Sequence, residues 1–199
     1  GRAYSGHPGD TLASALLANG VRLVARSFKY HRPRGIVAAG VEEPNALVRL
    51  GEGASAVPNL KATEIPLVEG LRATSVNVFP SVEHDVGAIS ARLSALMPAG
   101  FYYKTFFGSP ALWQHLFEPA IRRAAGWSRV PDGPDPDRYE RVHAHCDVLV
   151  VGAGPAGLMA AATAAAGGAR VMLADEGEVM GGSLDARAVT LDGSDGAAW

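Results

Sequence analysis

Short apolar runs separated by turn residues make up most of the first eighty positions. One run, after Asp10, has an apolar residue every three or four positions until Asn19-Gly20, which predicts a short helix capped by Asp10. The other runs are rich in strand-forming residues and are bounded by glycine and proline. They cover residues 21–30, 46–50, 60–67 and 71–78. One helix among several short strands predicts an α+β domain over residues 1–80.

The apolar spacing becomes helical from Ser81 onwards. Apolar side chains recur on one helical face from Val86 to Leu96. Ser109-Pro110 then offers a cap and a first-turn proline for a second helix, which Pro119 is expected to divide or kink. These patterns predict a helical segment over residues 81–130.

A linker is predicted between residues 131 and 145. Residues 131–137 consist of three prolines, three aspartates and one glycine, a composition that cannot bury apolar surface. We therefore expect an exposed segment that separates the first two parts of the chain from residues 146–199.

After the linker, a strand, a glycine-rich turn, an apolar helix and a second strand follow one another. In the turn, Gly152 permits a tight bend, Gly154 lets the backbone approach a pyrophosphate, and Gly157 allows the helix to pack closely on the strand. Asp175 lies 18 residues after Gly157, which is the spacing of a carboxylate that accepts hydrogen bonds from ribose hydroxyls. The pattern predicts the first βαβ unit of an α/β Rossmann-type dinucleotide-binding domain.

The glycine fingerprint leaves the dinucleotide open between NAD and FAD. A carboxylate at Asp175, instead of an arginine, disfavours NADP. Gly181-Gly182-Ser183, after the second strand, is a loop common among relatives of the flavoprotein disulfide reductases. A doubly wound domain needs more strands than the 24 residues after Asp175 can supply, so we expect the domain to be incomplete.

Composition and charge narrow the classes of partner. Hydrophobic residues make up 48% of the 199 positions and the net charge is −2, so no basic field favours nucleic acid or an anionic membrane. Residues 148–169 carry no charge and are long enough for a membrane helix, but their glycines and strand-like start favour the interior of an α/β unit. We therefore expect neither a nucleic-acid nor a membrane partner.

Cys146 is the single cysteine of the chain. One thiol forms no disulfide framework, no thiolate metal cage and no cysteine-ligated iron–sulfur cluster, and this cysteine usage favours the cytoplasm. His143 and His145 precede it, but alternation along an extended segment puts the cysteine on the opposite face, so no metal site is expected. The sequence has neither a recognisable nucleophile–base pair nor paired catalytic carboxylates, so no catalytic residue is predicted.

A basic stretch without acidic residues lies between Asp10 and Glu42. It could hold a phosphate or the acidic surface of a partner, but we favour a solvated or subunit-facing strand edge. Its members are Arg22, Arg26, Lys29, His31, Arg32 and Arg34.

Six blocks of sequence carry a family resemblance. They are GHPGDTLASALLANG at 6–20, RSFKYHRPRG at 26–35, EPNALV at 43–48, GFYYKTF at 100–106, IRRAAG at 121–126 and HAHCDVLVVGAGPAGL at 143–158. In order and spacing these blocks resemble the alpha subunits of heterotetrameric sarcosine oxidases. They are far more specific than the glycine fingerprint, and the resemblance that they carry extends over essentially the whole chain.

The resemblance implies a cytoplasmic bacterial complex in which this chain works with beta, gamma and delta subunits. Such a complex oxidatively demethylates sarcosine to glycine, produces H2O2 from O2 and passes the one-carbon unit to tetrahydrofolate. NAD is implied in the alpha subunit, FAD in beta and FMN at the alpha–beta interface. Sarcosine and tetrahydrofolate are implied to bind elsewhere, the latter beyond Trp199. We therefore expect residues 1–199 to be inactive alone and to serve as a dinucleotide-binding part and a subunit scaffold.

The same resemblance implies further contacts to NAD, beside the motif glycines. Ser183 stands where the family has a threonine, and Gly177 stands in place of a bulkier residue, so these two contacts are expected to differ most from those of the family. The implied NAD-contacting positions are Ala156, Asp175, Glu176, Gly177 and Ser183.

The first eighty residues also resemble the 2Fe-2S ferredoxin-type fold found in related amine dehydrogenase and cyanide-forming oxidase subunits. Where those proteins have a cysteine-rich loop, residues 30–45 contain no cysteine. We therefore expect a ferredoxin-like β-grasp domain without an iron–sulfur cluster.

Two alternatives to the leading function stay open. One is an FAD-binding subunit of a related amine-, opine- or glycine-oxidising complex, and the other is a non-catalytic docking scaffold.

Overall fold

The computed structural model of the protein describes residues 1–96, 99–100, 106, 108–125, 131, 133–177, 179–186, 190–191 and 193–196. It separates into two compact units, residues 1–137 and residues 138–199. Among the described residues, no helix has both the length and the apolar character needed to cross a membrane.

Helix α1, Leu12–Ala18, begins with a reciprocal capping box. The Thr11 hydroxyl accepts the N–H of Ser14, and the Ser14 hydroxyl accepts the N–H of Thr11. The prediction of Asp10 as the cap is therefore wrong by one residue. Asp10 instead accepts hydrogen bonds from the Ser14 hydroxyl and the His7 N–H, so its carboxylate supports the cap from outside.

Two small antiparallel sheets accompany this helix in the first unit. The strands are β1 Ala25–Arg26, β2 Pro33–Arg34, β3 Leu47–Leu50, β4 Val57–Lys61 and β5 Ala73–Ser75. Strand β3 lies between β4 and β5, and Val48 pairs with Leu60 on one side and with Ser75 on the other. β1 pairs separately with β2.

The core of the first unit forms where α1 meets the three-stranded sheet. The N–H groups of Leu12 and Ala13 donate to the carbonyls of Ile65 and Ala62, at 2.8 and 2.9 Å, which fixes the helix start against the chain after β4. Burial of the apolar face of the helix on the sheet then stabilises the unit. The buried cluster comprises Leu12, Ala13, Val24, Ala46, Val48, Ala62 and Ile65.

Several predicted strands are shorter in the structure than in the sequence pattern. Asn77, just after β5, has a positive φ angle of 59°, and this left-handed conformation does not continue a strand. Ala62, Thr63 and Ile65 are buried without forming a strand, because they contact α1 and the loop before β3. In this segment the apolar residues of the sequence pattern are buried, but they do not extend the strand.

The predicted helical segment is broken into short pieces. Helix α2, Ile89–Arg92, lies between 3-10 turns at Val86–Ala88 and Ser94–Leu96. Asp85 begins the first turn by accepting the N–H of Gly87. The expected apolar face is exposed, with 68% of Val86 and 60% of Ile89 accessible.

The second predicted helix is divided near Pro119, as expected. The Ser109 hydroxyl caps helix α3, Pro110–Leu112, by accepting the N–H of Leu112. A π-helical turn, Trp113–Phe117, leads into helix α4, Glu118–Ala125. Proline has no N–H for the preceding turn and its ring crowds that turn, so the helix widens just before Pro119.

The second unit contains a parallel strand pair joined by one helix. Strand β6, Val148–Val151, pairs with β7, Val171–Ala174, in register from Val148 with Val171 to Val151 with Ala174. Helix α5, Pro155–Ala166, connects them. Helix α6, Ser183–Ala186, and an antiparallel pair of strands, β8 Thr190–Leu191 and β9 Ser194–Asp195, follow. The strand–helix–strand order agrees with the pattern in the sequence.

Candidate functional site

The loop between β6 and α5 can be built only with glycine at two positions. Gly152 has a φ of +100°, which other residues rarely adopt. A Cβ atom on Gly157 would lie 1.8 Å from the carbonyl oxygen of Gly152. The tight turn and the close helix–strand approach expected from the sequence are therefore present at these two glycines.

Helix α5 presents its N-terminus at this loop. Gly154 is the N-cap residue and supplies no side chain to accept from the first-turn N–H groups, which include that of Ala156. A Cβ atom on Gly154 would meet no atom within 4 Å, so the space beside it is open. N–H groups and the positive end of the helix dipole favour an anion at such a place.

Asp175 follows β7 directly and ties it to the glycine loop. One carboxylate oxygen accepts the N–H of Ala153, and the other accepts the N–H of Gly177 at 2.7 Å. These backbone donors, that of Ala153 foremost, hold the pKa of Asp175 below its ordinary value of 3.8. The side chain is an exposed anion, and each of its oxygens has lone pairs for a further donor.

The segment after β7 returns to the same loop. The Gly181 N–H donates to the Ala153 carbonyl at 2.8 Å. A Cβ atom on Gly182 would lie 3.2 Å from the Cα atom of Gly154, so this segment packs directly against the loop. Ser183 begins helix α6 beside this contact, and Leu184 is buried next to it.

Most of the predicted site residues therefore meet at one end of the strand pair. The glycine loop, Asp175 and Gly177 are joined by hydrogen bonds, and Ser183 lies next to Gly182 in the chain. Glu176 is exposed, between two residues of this group. The arrangement offers amide donors to an anion and a carboxylate to hydroxyl groups.

Ala153 is the residue of this site that the sequence reasoning missed. Its N–H bonds to Asp175, its carbonyl accepts from Gly181, and only 1% of its surface is exposed. Both bonds use backbone atoms, so the side chain gives no signal beyond its small size.

Two known protein families match separate parts of this chain. Residues 1–78 match a family described as a 2Fe-2S iron-sulfur cluster binding domain. Residues 147–197 match a family described as FAD dependent oxidoreductase.

Whole-chain relatives agree with the resemblance seen in the sequence. Sarcosine oxidase subunit alpha of Rhizobium meliloti (strain 1021) is 58% identical over 193 residues, which cover 97% of this chain. This chain is a homologue of the N-terminal part of sarcosine oxidase alpha subunits. The subunit of that name from Corynebacterium sp. (strain U-96) is 39% identical over 203 residues. The chain spans 20% and 16% of the lengths of these two curated relatives.

These matches contradict the expected cofactor set of NAD in this subunit, FAD and FMN elsewhere, and no iron–sulfur cluster. Residues 1–78 match a cluster-binding family, and residues 147–197 match an FAD-dependent one. The expectation was wrong because it was drawn from a cysteine count and from a resemblance, whereas a family match rests on the pattern of a whole domain.

The ligand chemistry of the first region is a separate question. A 2Fe-2S cluster is held by cysteine thiolates, with histidine replacing two of them in some proteins. Residues 1–78 contain no cysteine, and among the described residues no three His, Cys, Asp or Glu side chains group to hold a metal ion. The side chains of this region do not fit a thiolate-held cluster, and we assign no chemical step to one.

A carboxylate occupies the centre of the loop before β3, at residues 37–46. One oxygen of Glu43 accepts the N–H groups of Val37 and Ala38, at 2.7 and 2.8 Å. The other accepts those of Asn45 and Ala46, at 2.7 and 3.0 Å. Only 1% of Glu43 is exposed. Burial opposes its ionised form, but the four backbone donors outweigh burial and lower the pKa of Glu43 from its ordinary value of 4.5.

Proposed function

We propose that the second unit binds the adenosine diphosphate half of a dinucleotide at the Gly152–Gly157 loop. The observation that carries the proposal is the anchoring of Asp175 to Ala153, which places an anionic acceptor beside a helix N-terminus. The pyrophosphate would lie near Gly154 and Ala156, and the ribose hydroxyls would donate to Asp175. Glu176, Gly177 and Ser183 would flank the nucleotide, since they adjoin these residues in the chain.

We propose FAD as this dinucleotide, on the strength of the family match over residues 147–197. When bound, the flavin ring supplies two-electron acceptance from an oxidisable substrate. The residues of this chain have a different task, which is to hold the adenosine end and the pyrophosphate. No described side chain is assigned a part in proton transfer.

We propose that the whole protein is the alpha subunit of a sarcosine oxidase with several subunits. The 58% identity to a relative of that name supports this proposal. The assembled enzyme would oxidise the N-methyl group of sarcosine, leave glycine, reduce O2 to H2O2 and transfer the one-carbon unit to tetrahydrofolate. Within it, residues 1–199 would bind nucleotide and contact other subunits in the cytoplasm.

We propose a β-grasp fold for residues 1–80 and the start of a Rossmann-type fold for residues 146–199. The helix packed on a short antiparallel sheet supports the first, and the parallel β6–α5–β7 order supports the second. The helical part, 81–130, and the linker, 131–145, complete the proposed division.

The experiment is to identify the nucleotide released from the full-length protein purified with its native partners. Acid release followed by mass spectrometry is expected to yield FAD, with much less from Asp175→Ala. Asp147→Ala is the matched control, because Asp147 accepts the Arg170 N–H before β6, away from the glycine loop. Recovery of NAD in place of FAD would reject the flavin assignment and keep the loop assignment. Equal nucleotide in wild type and Asp175→Ala would reject the loop assignment.

A further inference from the structure

The side chain of Arg26 holds the turn between β1 and β2, residues 27–32, by hydrogen bonds. The Nε of Arg26 donates to the Val82 carbonyl and one terminal nitrogen donates to the His31 carbonyl, both at 2.9 Å. Only 10% of the Arg26 side chain is exposed. This guanidinium joins the turn to a segment more than fifty residues away.

The side chains of His31 and Asp85 form a second buried contact that holds this turn. The Nδ1 atom of His31 lies 2.6 Å from a carboxylate oxygen of Asp85. The other oxygen of Asp85 accepts the N–H groups of Phe79 and Gly87. A Cβ atom on Gly87 would lie 2.3 Å from the His31 ring, so the ring is closely covered. The turn is thus held rigidly before any partner arrives.

The outer side of this rigid turn combines positive charge with aromatic surface. The Lys29 Nζ and the Arg32 Cζ each lie 4.8 Å from the centre of the Tyr30 ring. Phe28, beside them, is 55% exposed. Arginine, tyrosine and phenylalanine are among the side chains enriched in protein interfaces.

We propose that this turn docks onto an acidic surface of a partner polypeptide. Lys29 and Arg32 would pair with carboxylates of the partner, and Phe28 would pack between the two surfaces. The proposal rests on the proposed function in one respect, which is that the protein works with other subunits. Because the turn is already ordered, docking loses little conformational entropy.

Two observations favour a protein partner over a phosphate-bearing ligand. The N–H groups of His31 and Arg32 are already bonded to the Ser27 carbonyl and hydroxyl, so they do not form a cradle for phosphate. The chain as a whole has a net charge of −2, which gives nucleic acid no extended positive face. A few local cations beside the exposed Phe28 ring and the half-buried Tyr30 ring suit a carboxylate-bearing protein surface.

The first test is zero-length crosslinking of the native assembly with a carbodiimide. The reagent activates a carboxylate, the amine of Lys29 displaces a urea, and an amide bond remains only where the two groups are in ion-pair contact. Lys61 and Glu64, 3.6 Å apart, provide an internal positive control. A Lys29 peptide joined to an Asp or Glu of another polypeptide is the expected result. Links from Lys29 to this chain alone, or no such link, would overturn the proposal.

The second test measures assembly of full-length variants with the partner subunits at several salt concentrations. Lys29→Ser with Arg32→Ser is expected to raise the Kd by about tenfold or more and to flatten its salt dependence. Arg72→Ser removes an exposed guanidinium elsewhere on the first unit and should stay within about twofold. Wild-type affinity and salt dependence in the double variant would contradict the proposal.

The outcomes separate this proposal from the proposed function. If the subunits assemble and retain FAD while Lys29 forms no link to another chain, the docking surface is wrong and the function stands. If the full-length protein associates with no other polypeptide, the docking surface and the multi-subunit function are both wrong.

Discussion

Glu43 in the first unit and Asp175 in the second each organise a loop, and these two carboxylates differ in the hydrogen-bonding capacity that they leave for a ligand. Glu43 accepts four backbone N–H groups and is almost fully buried. Asp175 accepts two and stays exposed. A buried carboxylate that already accepts four hydrogen bonds can only stabilise its loop. An exposed carboxylate that accepts two can also accept hydrogen bonds from a ligand. The number of donors and the exposure therefore separate a structural loop from a candidate binding loop.

The largest expected effect is the loss of Glu43. Glu43→Ala would remove the buried acceptor of four backbone N–H groups. Hydrogen bonds to charged groups contribute about 1.5–3 kcal/mol each, although such contributions do not add fully. We expect the full-length protein to lose at least about 3 kcal/mol of unfolding free energy in urea. Glu52→Ala, at an exposed carboxylate of the same unit, should change it by less than about 1 kcal/mol. Equal unfolding free energies of the Glu43→Ala and Glu52→Ala variants would show that Glu43 does not stabilise its loop.

Gly157→Ala should give the next largest effect. Its new methyl group would lie 1.8 Å from the Gly152 carbonyl oxygen, so helix α5 must move away from β6. Overpacking of this kind costs about 1–3 kcal/mol, and nucleotide retention should fall with it. Gly154→Ala, which meets open space, is the matched variant and should change stability little. A Gly157→Ala protein as stable as Gly154→Ala would show that close packing does not define this loop.

The pH dependence of the unfolding free energy should differ between the wild-type protein and the Glu43→Gln variant. The pKa of Glu43 is lowered by folding, so its carboxylate stabilises the folded state above the ordinary value of 4.5, and that contribution disappears as pH falls through the folded value. Unfolding free energies measured from pH about 6 downward should therefore decline more steeply in wild type than in Glu43→Gln. Parallel curves would mean that the ionised form of Glu43 has no special role.

The smallest effect on stability is expected at Asp175. Its carboxylate is exposed and holds only two donors, so Asp175→Ala should shift the Tm of the nucleotide-free protein by no more than about 2 °C. Differential scanning calorimetry of the full-length variant measures this. A loss as large as that of Glu43→Ala would show that Asp175 is structural, like Glu43.

The sequence was informative where a residue's identity is forced by backbone geometry. Gly152 and Gly157 are required by a positive φ and by a close contact, and both requirements show directly as glycine spacing. Pro119 predicted the division of its helix for a similar reason. Spacing also predicted that Asp175 would stand near the loop, because β6 and β7 are parallel and adjacent.

The sequence was less informative where backbone atoms or distant residues make the contact. The donors to Glu43 are N–H groups that almost any side chain could accompany, and His31 meets Asp85 across 54 positions. The apolar spacing at 86–96 predicted an apolar helix face, of which Val86 and Ile89 are exposed. The cofactor expectation was wrong because a cysteine count describes candidate ligands, while the domain family is defined by a longer pattern.

The most direct test of the central claim is FAD binding by the assembled full-length protein after its nucleotide has been removed. Titration calorimetry is expected to show Asp175→Ala binding FAD about tenfold to a hundredfold more weakly than wild type, the range for one hydrogen bond to a charged group. Asp147→Ala should bind as wild type does, since Asp147 lies before β6 and away from the glycine loop. Equal affinities in all three proteins would contradict a nucleotide site built on Asp175 and the glycine loop.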